Sequence, residues 1–522
     1  MTAELLPEAG STPGAYAGDR GARMDGPDSR QVWLPRRIRR LGWCLLVLQL
    51  VGLLAWSQFT YSRFGLSRDF SFYAQGWWSI AHGHLNPVSA DFGVSFLKNA
   101  AEVVLWPLAL LYFLWPHAVD LLWAQDVAIV AAGYVAWRWA LEVLEDRPRV
   151  SDAMRAKIAA GVVVMLLIDP WAYLTAAYDF HTEPLGALFA ILLARGLWRG
   201  TSLKNWAWAF LTALCGAVPT LYIIGIGIGA LVGGRRSRRS GAVLAGMALG
   251  YLLVLGALGA DGTGGQNFPI WYGYLTGKSA HVGPLNVLVG LLRHPLAAAQ
   301  MALSRVSYIV GYLLAGGLVG VASPWAAGLI LAVLVPNALN STPIFILPFA
   351  AFQNWALIPV LLVGTVMVIA RLADPGRRNS MARALGAVAL AGCIALAGGE
   401  FPTLIRDYLP PGSRTAAALR AVEAQSPPTV EVVASEGVVG RFGERDAVYG
   451  IQGAPERIGL AGGRSVVFIL VPGHGGHLSS LQVQAQVRFV QGLAGARPLV
   501  ASAGVHAFRW MPPPNISSVT LP

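Results

Sequence analysis

Apolar residues in this chain gather in runs of about 18 to 25, separated by short charged loops, and that is the length a helix needs to cross a bilayer. Of the 522 residues 55% are hydrophobic and 13% are charged. An average soluble domain carries roughly 25% charged residues and has no core able to absorb this much apolar surface. Lipid is therefore the main solvent, and the fold class is an all-α polytopic membrane protein.

The net charge of +12 would suggest nucleic acid in a soluble chain. Its placement points to topology and excludes a nucleic-acid partner. Arg36, Arg37, Arg39 and Arg40 precede the first apolar run, and later clusters fall at Arg147, Arg149, Arg155 and Lys157, and at Arg195, Arg199 and Lys204. Two more sit at Arg235, Arg236, Arg238 and Arg239, and at Arg371, Arg377, Arg378 and Arg383. Cytoplasmic loops of membrane proteins are enriched in Lys and Arg, so these clusters put the amino terminus inside. The same charges favour anionic lipid. Cys44, Cys215 and Cys393 all lie within apolar runs and imply no disulfide framework.

Along the chain, residues 1–40 read as a disordered basic cytoplasmic segment, since Gly, Pro and charge recur there without periodicity. The first span, near 41–60, reads as an uncleaved anchor. An outer segment, 61–118, follows. Within it Phe70, Tyr73, Trp77 and Ile80 recur at helical spacing, predicting an interfacial helix over 69–82, and 100–115 predicts a second helix dipping into the outer leaflet. Further spans fit at 119–143, 158–175, 184–199, 205–217 with 220–234, 241–259, 304–322, 325–338, 355–371 and 384–399, with an outer loop at 260–303. The hydropathy count is about eleven crossings, an odd number, which places 400–522 outside. Val430 to Ala434 and Val466 to Val471 are β-rich there and Ser479 to Leu493 is amphipathic, so the tail reads as a small extracytoplasmic α/β domain.

Ionisable residues near a bilayer are costly, so they point to function. Asp69, Asp91, Lys98 and Glu102 collect in the first outer segment, Asp179, His181 and Glu183 in the second, and Lys278, Arg293, His294 and Arg305 come from the long outer loop. Carboxylates facing basic groups suit an anionic, phosphate-bearing lipid substrate and a divalent cation. Asp69 reads as a general base or as the cap of the helix it opens. Asp179, His181 and Glu183, at alternate positions, read either as metal or phosphate ligands or as an interfacial helix cap. Asp126, inside a span, reads as a partner of a neighbouring helix. Gly225, Gly227 and Gly229 read as a helix-packing stripe, not a nucleotide loop.

The stretch Arg68-Asp69-Phe70-Ser71-Phe72-Tyr73-Ala74-Gln75-Gly76-Trp77-Trp78, with Pro107 to Pro116, Gln125, Asp179-Phe180-His181-Thr182-Glu183-Pro184 and Gly311-Tyr312-Leu313-Leu314-Ala315 to Pro324, resembles the bacterial predicted membrane protein family DUF2079. That family looks like a branch of the GT-C glycosyltransferases, which use polyprenyl-phosphate sugars outside the cytoplasmic membrane. The resemblance spans roughly residues 41–500 and implies a GT-C-like core over 41–399. It also implies Asp69 as the catalytic carboxylate. Metal or donor phosphate then falls to Asp69, Asp179 and Glu183, with Mg or Mn as the cation, and Tyr73, Gln75 and Glu102 join the substrate site. The partners implied are the bilayer of the bacterial plasma membrane, a polyprenyl-phosphate sugar donor and an extracytoplasmic acceptor. The chain departs from the family pattern at Lys98-Asn99 and Pro219-Thr220. A flippase of a lipid-linked intermediate and a catalytically inactive scaffold are the alternative readings.

Overall fold

The computed structural model describes residues 36–522 except 235, 260–263, 278–282, 343–350, 374–378 and 474–477. The expected disordered segment 1–40 therefore lies almost wholly outside the described residues, as do Lys278 and His281.

The membrane part is built from α1 (Arg36–Ser62), α2 (Arg68–Ala81), α3 (Val119–Glu145), α4 (Asp152–Ile168), α5 (Pro170–Ala177), α6 (Glu183–Arg199), α7 (Leu203–Leu214), α8 (Ala217–Gly233), α9 (Arg238–Ala257), α10 (Leu357–Leu372) and α11 (Asn379–Tyr408). Shorter helices, among them Pro284–Arg293, Pro295–Ser304, Val306–Ala315 and Pro324–Leu329, fill the interval between α9 and α10. Six helical stretches among the described residues are long and apolar enough to cross a membrane, or seven if the pair Leu285–Arg293 and Pro295–Ser304, bent by 99°, forms one broken span. Length among the described residues thus does not confirm the expected eleven: Val306–Ala315, for one, has 10 residues, a rise of only about 15 Å against a hydrocarbon core of roughly 30 Å.

Small residues bring the helices together. A Cβ on Gly225 would sit 2.8 Å from the Gly328 carbonyl oxygen, and one on Gly227 would sit 2.6 Å from that of Gly241. The Gly-x-Gly-x-Gly run is therefore a packing seam between α8, α9 and the helix at 324–329. The helix expected over 69–82 is α2, and its residues from Phe70 to Trp77 are buried by the protein on every side. Of the expected helix over 100–115, a continuous helical run forms from Leu105–Ala109 into the 3-10 turn Leu110–Phe113; a separate short helix, Phe96–Ala100, precedes it and ends where Ala101 takes a left-handed conformation (φ 52°) and turns the chain.

Residues 431–521 form a sheet with the order β2-β1-β4-β6-β5 and a separate β3-β7 pair: β1 (Glu431–Ser435), β2 (Val448–Ile451), β3 (Glu456–Gly459), β4 (Val466–Leu470), β5 (Arg497–Ser502), β6 (Val505–Trp510) and β7 (Ser518–Leu521). β2, β1 and β4 run parallel, with Val432 opposite both Val448 and Val467; β4 pairs antiparallel with β6, placing Phe468 opposite Phe508. Every residue of β1, β2 and β4 is buried, as parallel strands require when helices cover both faces. Leu419 and Val422 of the helix Ser413–Glu423 cover one face, and Val483 and Val490 of Ser480–Gln491 cover the other.

Candidate functional site

The residues that carry chemistry meet where α2, the α5–α6 turn and the segment around Glu102 converge. The side chain of Ser67 does not cap α2. Asp179 does so from the α5–α6 turn. Its carboxylate accepts from the backbone N–H of Ser67 at 2.9 Å and of Phe70 at 3.0 Å, and from the Ser67 hydroxyl. The turn itself is pinned by Gln125 of α3, a fully buried carboxamide. It donates to the carbonyls of Thr175 at 3.1 Å and Asp179 at 3.3 Å, and accepts from the His181 N–H at 2.7 Å. Deeper in the bundle, Asp126 accepts from the Ser57 hydroxyl of α1 at 2.7 Å, the interhelical role expected of it.

This scaffold sets Asp69, the second residue of α2, beside His181. Asp69 Oδ2 accepts from the Tyr178 hydroxyl at 2.8 Å and lies 3.8 Å from His181 Nε2. The Asp69 side chain is 37% exposed, against 8% for His181 and for Glu183, so Asp69 alone of the group offers a carboxylate to the outside. The His181 ring stacks on Phe352, with centroids 3.6 Å apart and planes 5° apart, and on Tyr178 at 5.3 Å. Its Nδ1 lies 3.9 Å from Glu183 Oε2. Glu102 Oε1 accepts from the Tyr73 hydroxyl at 2.8 Å and the Thr182 hydroxyl at 2.9 Å.

Glu102 Oε2, Glu183 Oε2 and His181 Nε2 are buried and accept or donate no hydrogen bond among the described residues. Three such atoms in one place is a concentration that stable cores avoid and functional sites carry. Burial also moves the protonation equilibria, because a charged group loses its water. It lowers the His181 imidazole to about 4, leaving the ring neutral at pH 7. It pushes the Glu102 carboxyl up, against the pull of the Tyr73 and Thr182 hydroxyls. It also raises Asp179 to about 7, with the Asp69 charge adding to the effect.

Of the residues singled out in the sequence, Asp69, Tyr73, Glu102, Asp179, His181 and Glu183 are brought together. Gln75 is not part of the group: its carboxamide bridges the Asp446 carbonyl at 2.6 Å and the Ala90 N–H at 3.2 Å. Lys278 lies outside the described residues. Arg293 and His294 sit exposed at the 99° bend, and Arg305 donates to the Ser341 carbonyl at 3.4 Å. Among the described residues no contact joins these three to the carboxylates. No three His, Cys, Asp or Glu side chains among the described residues are arranged to hold a metal ion. Asp69, Asp179 and Glu183 do not fit that role as a set, because Asp179 is committed to capping α2. The sequence reading missed Tyr178 and Phe352. Tyr178, adjoining Asp179, was discoverable; Phe352 lies 171 positions from His181 and carries no local signal.

An α-helical bundle with six or seven apolar spans and a buried acidic cluster at one end defines an integral membrane protein. The chain belongs to the predicted membrane protein family DUF2079, which it matches over residues 66–405. Comparison with curated proteins gives no match. Among solved structures it is similar to ArnT from Cupriavidus metallidurans in the apo state (12% identity, covering 90% of this chain and 98% of that one, TM-score 0.47). The same protein bound to undecaprenyl phosphate gives 11% identity, 89% and 97% coverage and a TM-score of 0.46.

Proposed function

We propose that this protein is a glycosyltransferase of the cytoplasmic membrane that moves a sugar from a polyprenyl-phosphate donor to an extracytoplasmic acceptor. The observation that carries this reading is Asp69: a partly exposed carboxylate, oriented by the Tyr178 hydroxyl, at the rim of a buried cluster at the end of the bundle away from the Arg clusters. In the transfer, the acceptor oxygen attacks the anomeric carbon and gives its proton to Asp69, while the bond to the phosphate oxygen breaks and polyprenyl phosphate leaves with the electron pair. Tyr178 fixes the carboxylate, and neutral His181 keeps a proton-bearing ring against it. No step is routed through a cation.

The test is transfer from radiolabelled polyprenyl-phosphate hexose and pentose donors to envelope acceptors by the full chain in nanodiscs. Asp69→Asn is expected to lower transfer by about 100-fold or more, the contribution of a general base, while the melting temperature stays within error because the carboxamide still accepts from Tyr178. A variant as active as the wild type, or a wild type that transfers none of these donors, overturns the proposal.

A further inference from the structure

At the opposite end of the bundle, seventeen residues along α3 from Gln125 and so roughly 25 Å away, a cavity of about 580 Å³ opens between the C-terminal ends of α3 and α6 and the loop joining α8 to α9. A smaller one of about 320 Å³ adjoins it, sharing Asp146 and Trp198 and adding Arg147 and Arg371. The walls carry charge of both signs. Glu142 accepts from Arg195 Nε at 3.1 Å and from Arg199 Nε at 3.0 Å, so one carboxylate serves two guanidinium groups and one positive charge is left over on that wall. Arg199 is 55% exposed and, with Arg236, faces the opening. The same lining includes Glu145 and Asp146, exposed at the carboxyl end of α3, where the helix dipole disfavours negative charge and a cationic group nearby offsets it. Trp198 and Trp325 complete the lining, both held by edge or tilted contacts with the buried Trp139 at 6.2 and 6.0 Å.

We propose that this cavity binds the headgroup of a phospholipid that carries both a phosphate and a primary ammonium, as phosphatidylethanolamine does. The phosphate lies against Arg199 and Arg236, the ammonium against Glu145 and Asp146, and the half-buried indole of Trp198 contacts the glycerol and upper acyl region. A purely anionic headgroup meets Glu145 and Asp146, and a purely cationic one meets the arginines. A headgroup with both charges satisfies both walls. The site is independent of sugar transfer, since none of its residues belongs to the Asp69 cluster.

The experiment is native mass spectrometry of the full chain released from nanodiscs of phosphatidylethanolamine, phosphatidylglycerol or phosphatidylcholine. The expected result is one retained phosphatidylethanolamine, held about tenfold more strongly than the other two. Asp146→Asn and Glu145→Gln, both at exposed positions, are expected to erase the preference over phosphatidylcholine, and Arg199→Gln to weaken retention of phosphatidylethanolamine itself, with melting temperatures confirming the fold. Equal retention of phosphatidylglycerol, or variants that hold phosphatidylethanolamine as the wild type does, overturns the assignment. So does displacement of the lipid by equimolar soluble phosphoethanolamine, which would give the cavity to a free small molecule.

Discussion

Asp179 and Asp69 lie in the same cluster and do different work. Asp179 has both oxygens engaged by donors from Ser67 and Phe70, 112 and 109 positions away in sequence, and it fixes where α2 begins. Asp69 accepts a hydrogen bond from Tyr178, has His181 at 3.8 Å, and keeps an open face. Substituting Asp179→Asn leaves one acceptor oxygen and turns an amide toward N–H donors. That costs about 1–2 kcal/mol, the worth of a lost cap with an unpaired buried donor. Thermal unfolding in detergent should show a lowered midpoint for Asp179→Asn and none for Asp69→Asn; equal midpoints for the two would contradict the assignment. The sequence offered Asp179 as a metal or substrate ligand because Asp, His and Glu at alternate positions suggest one. A cap supplied from another segment leaves no local trace in sequence, whereas the gathering of Asp69, His181 and Glu183 was legible from the cost of placing such groups beside lipid.

α2, which carries Asp69, is held from outside by the segment following β1. The Gly440 N–H donates to the Leu66 carbonyl at 3.0 Å, Gln75 reaches the Asp446 carbonyl, and Arg68 pairs with Asp91, whose carboxylate also accepts from the Gly450 N–H at 3.4 Å. Gly443 makes the closest approach: a Cβ there would lie 2.7 Å from Ala74 Cβ and 2.8 Å from the Ser71 carbonyl oxygen. Gly443→Val therefore has to push the segment off α2, at an overpacking cost of about 1–3 kcal/mol. The expected readout is faster proteolysis within 436–450 with the bundle intact; a cleavage pattern identical to the wild type would show that the contact yields freely. At this scale the sequence was legible where length or period decides, as in α1, α2, β1, β4 and the helix Ser480–Gln491. It misplaced the start of the helix expected over 100–115, because Ala101 leaves the helical region and the chain turns so that Glu102 reaches Tyr73 before the helix begins at Leu105.

The whole molecule carries its charge asymmetrically. Arg36 to Arg40 begin α1, and Arg147, Arg199, Arg236 and Arg371 lie around the two cavities at that same end, while Tyr61 at the far end of α1 donates to Glu444 at 3.2 Å and Phe64 packs on Phe442 at 5.5 Å. The residues after 430 therefore sit at the opposite end of the bundle from the arginines. Hydropathy counts apolar runs, and several of them, such as Val306–Ala315, fold among the described residues into helices shorter than a bilayer crossing, so length supports six or seven spans. Lys and Arg near short loops set orientation by staying on the cytoplasmic side, so the Asp69 cluster and the sheet should face outward. With Cys44, Cys215 and Cys393 replaced by serine, single cysteines at Leu481→Cys, on an exposed face of the helix after β4, and at Arg149→Cys, in the exposed turn after α3, provide the measurement. A membrane-impermeant maleimide added to intact cells should label position 481 fully and position 149 only after permeabilisation. The reverse pattern would invert the molecule and remove the polyprenyl donor from reach of Asp69, because that reading needs the carboxylate on the side where the acceptor lies.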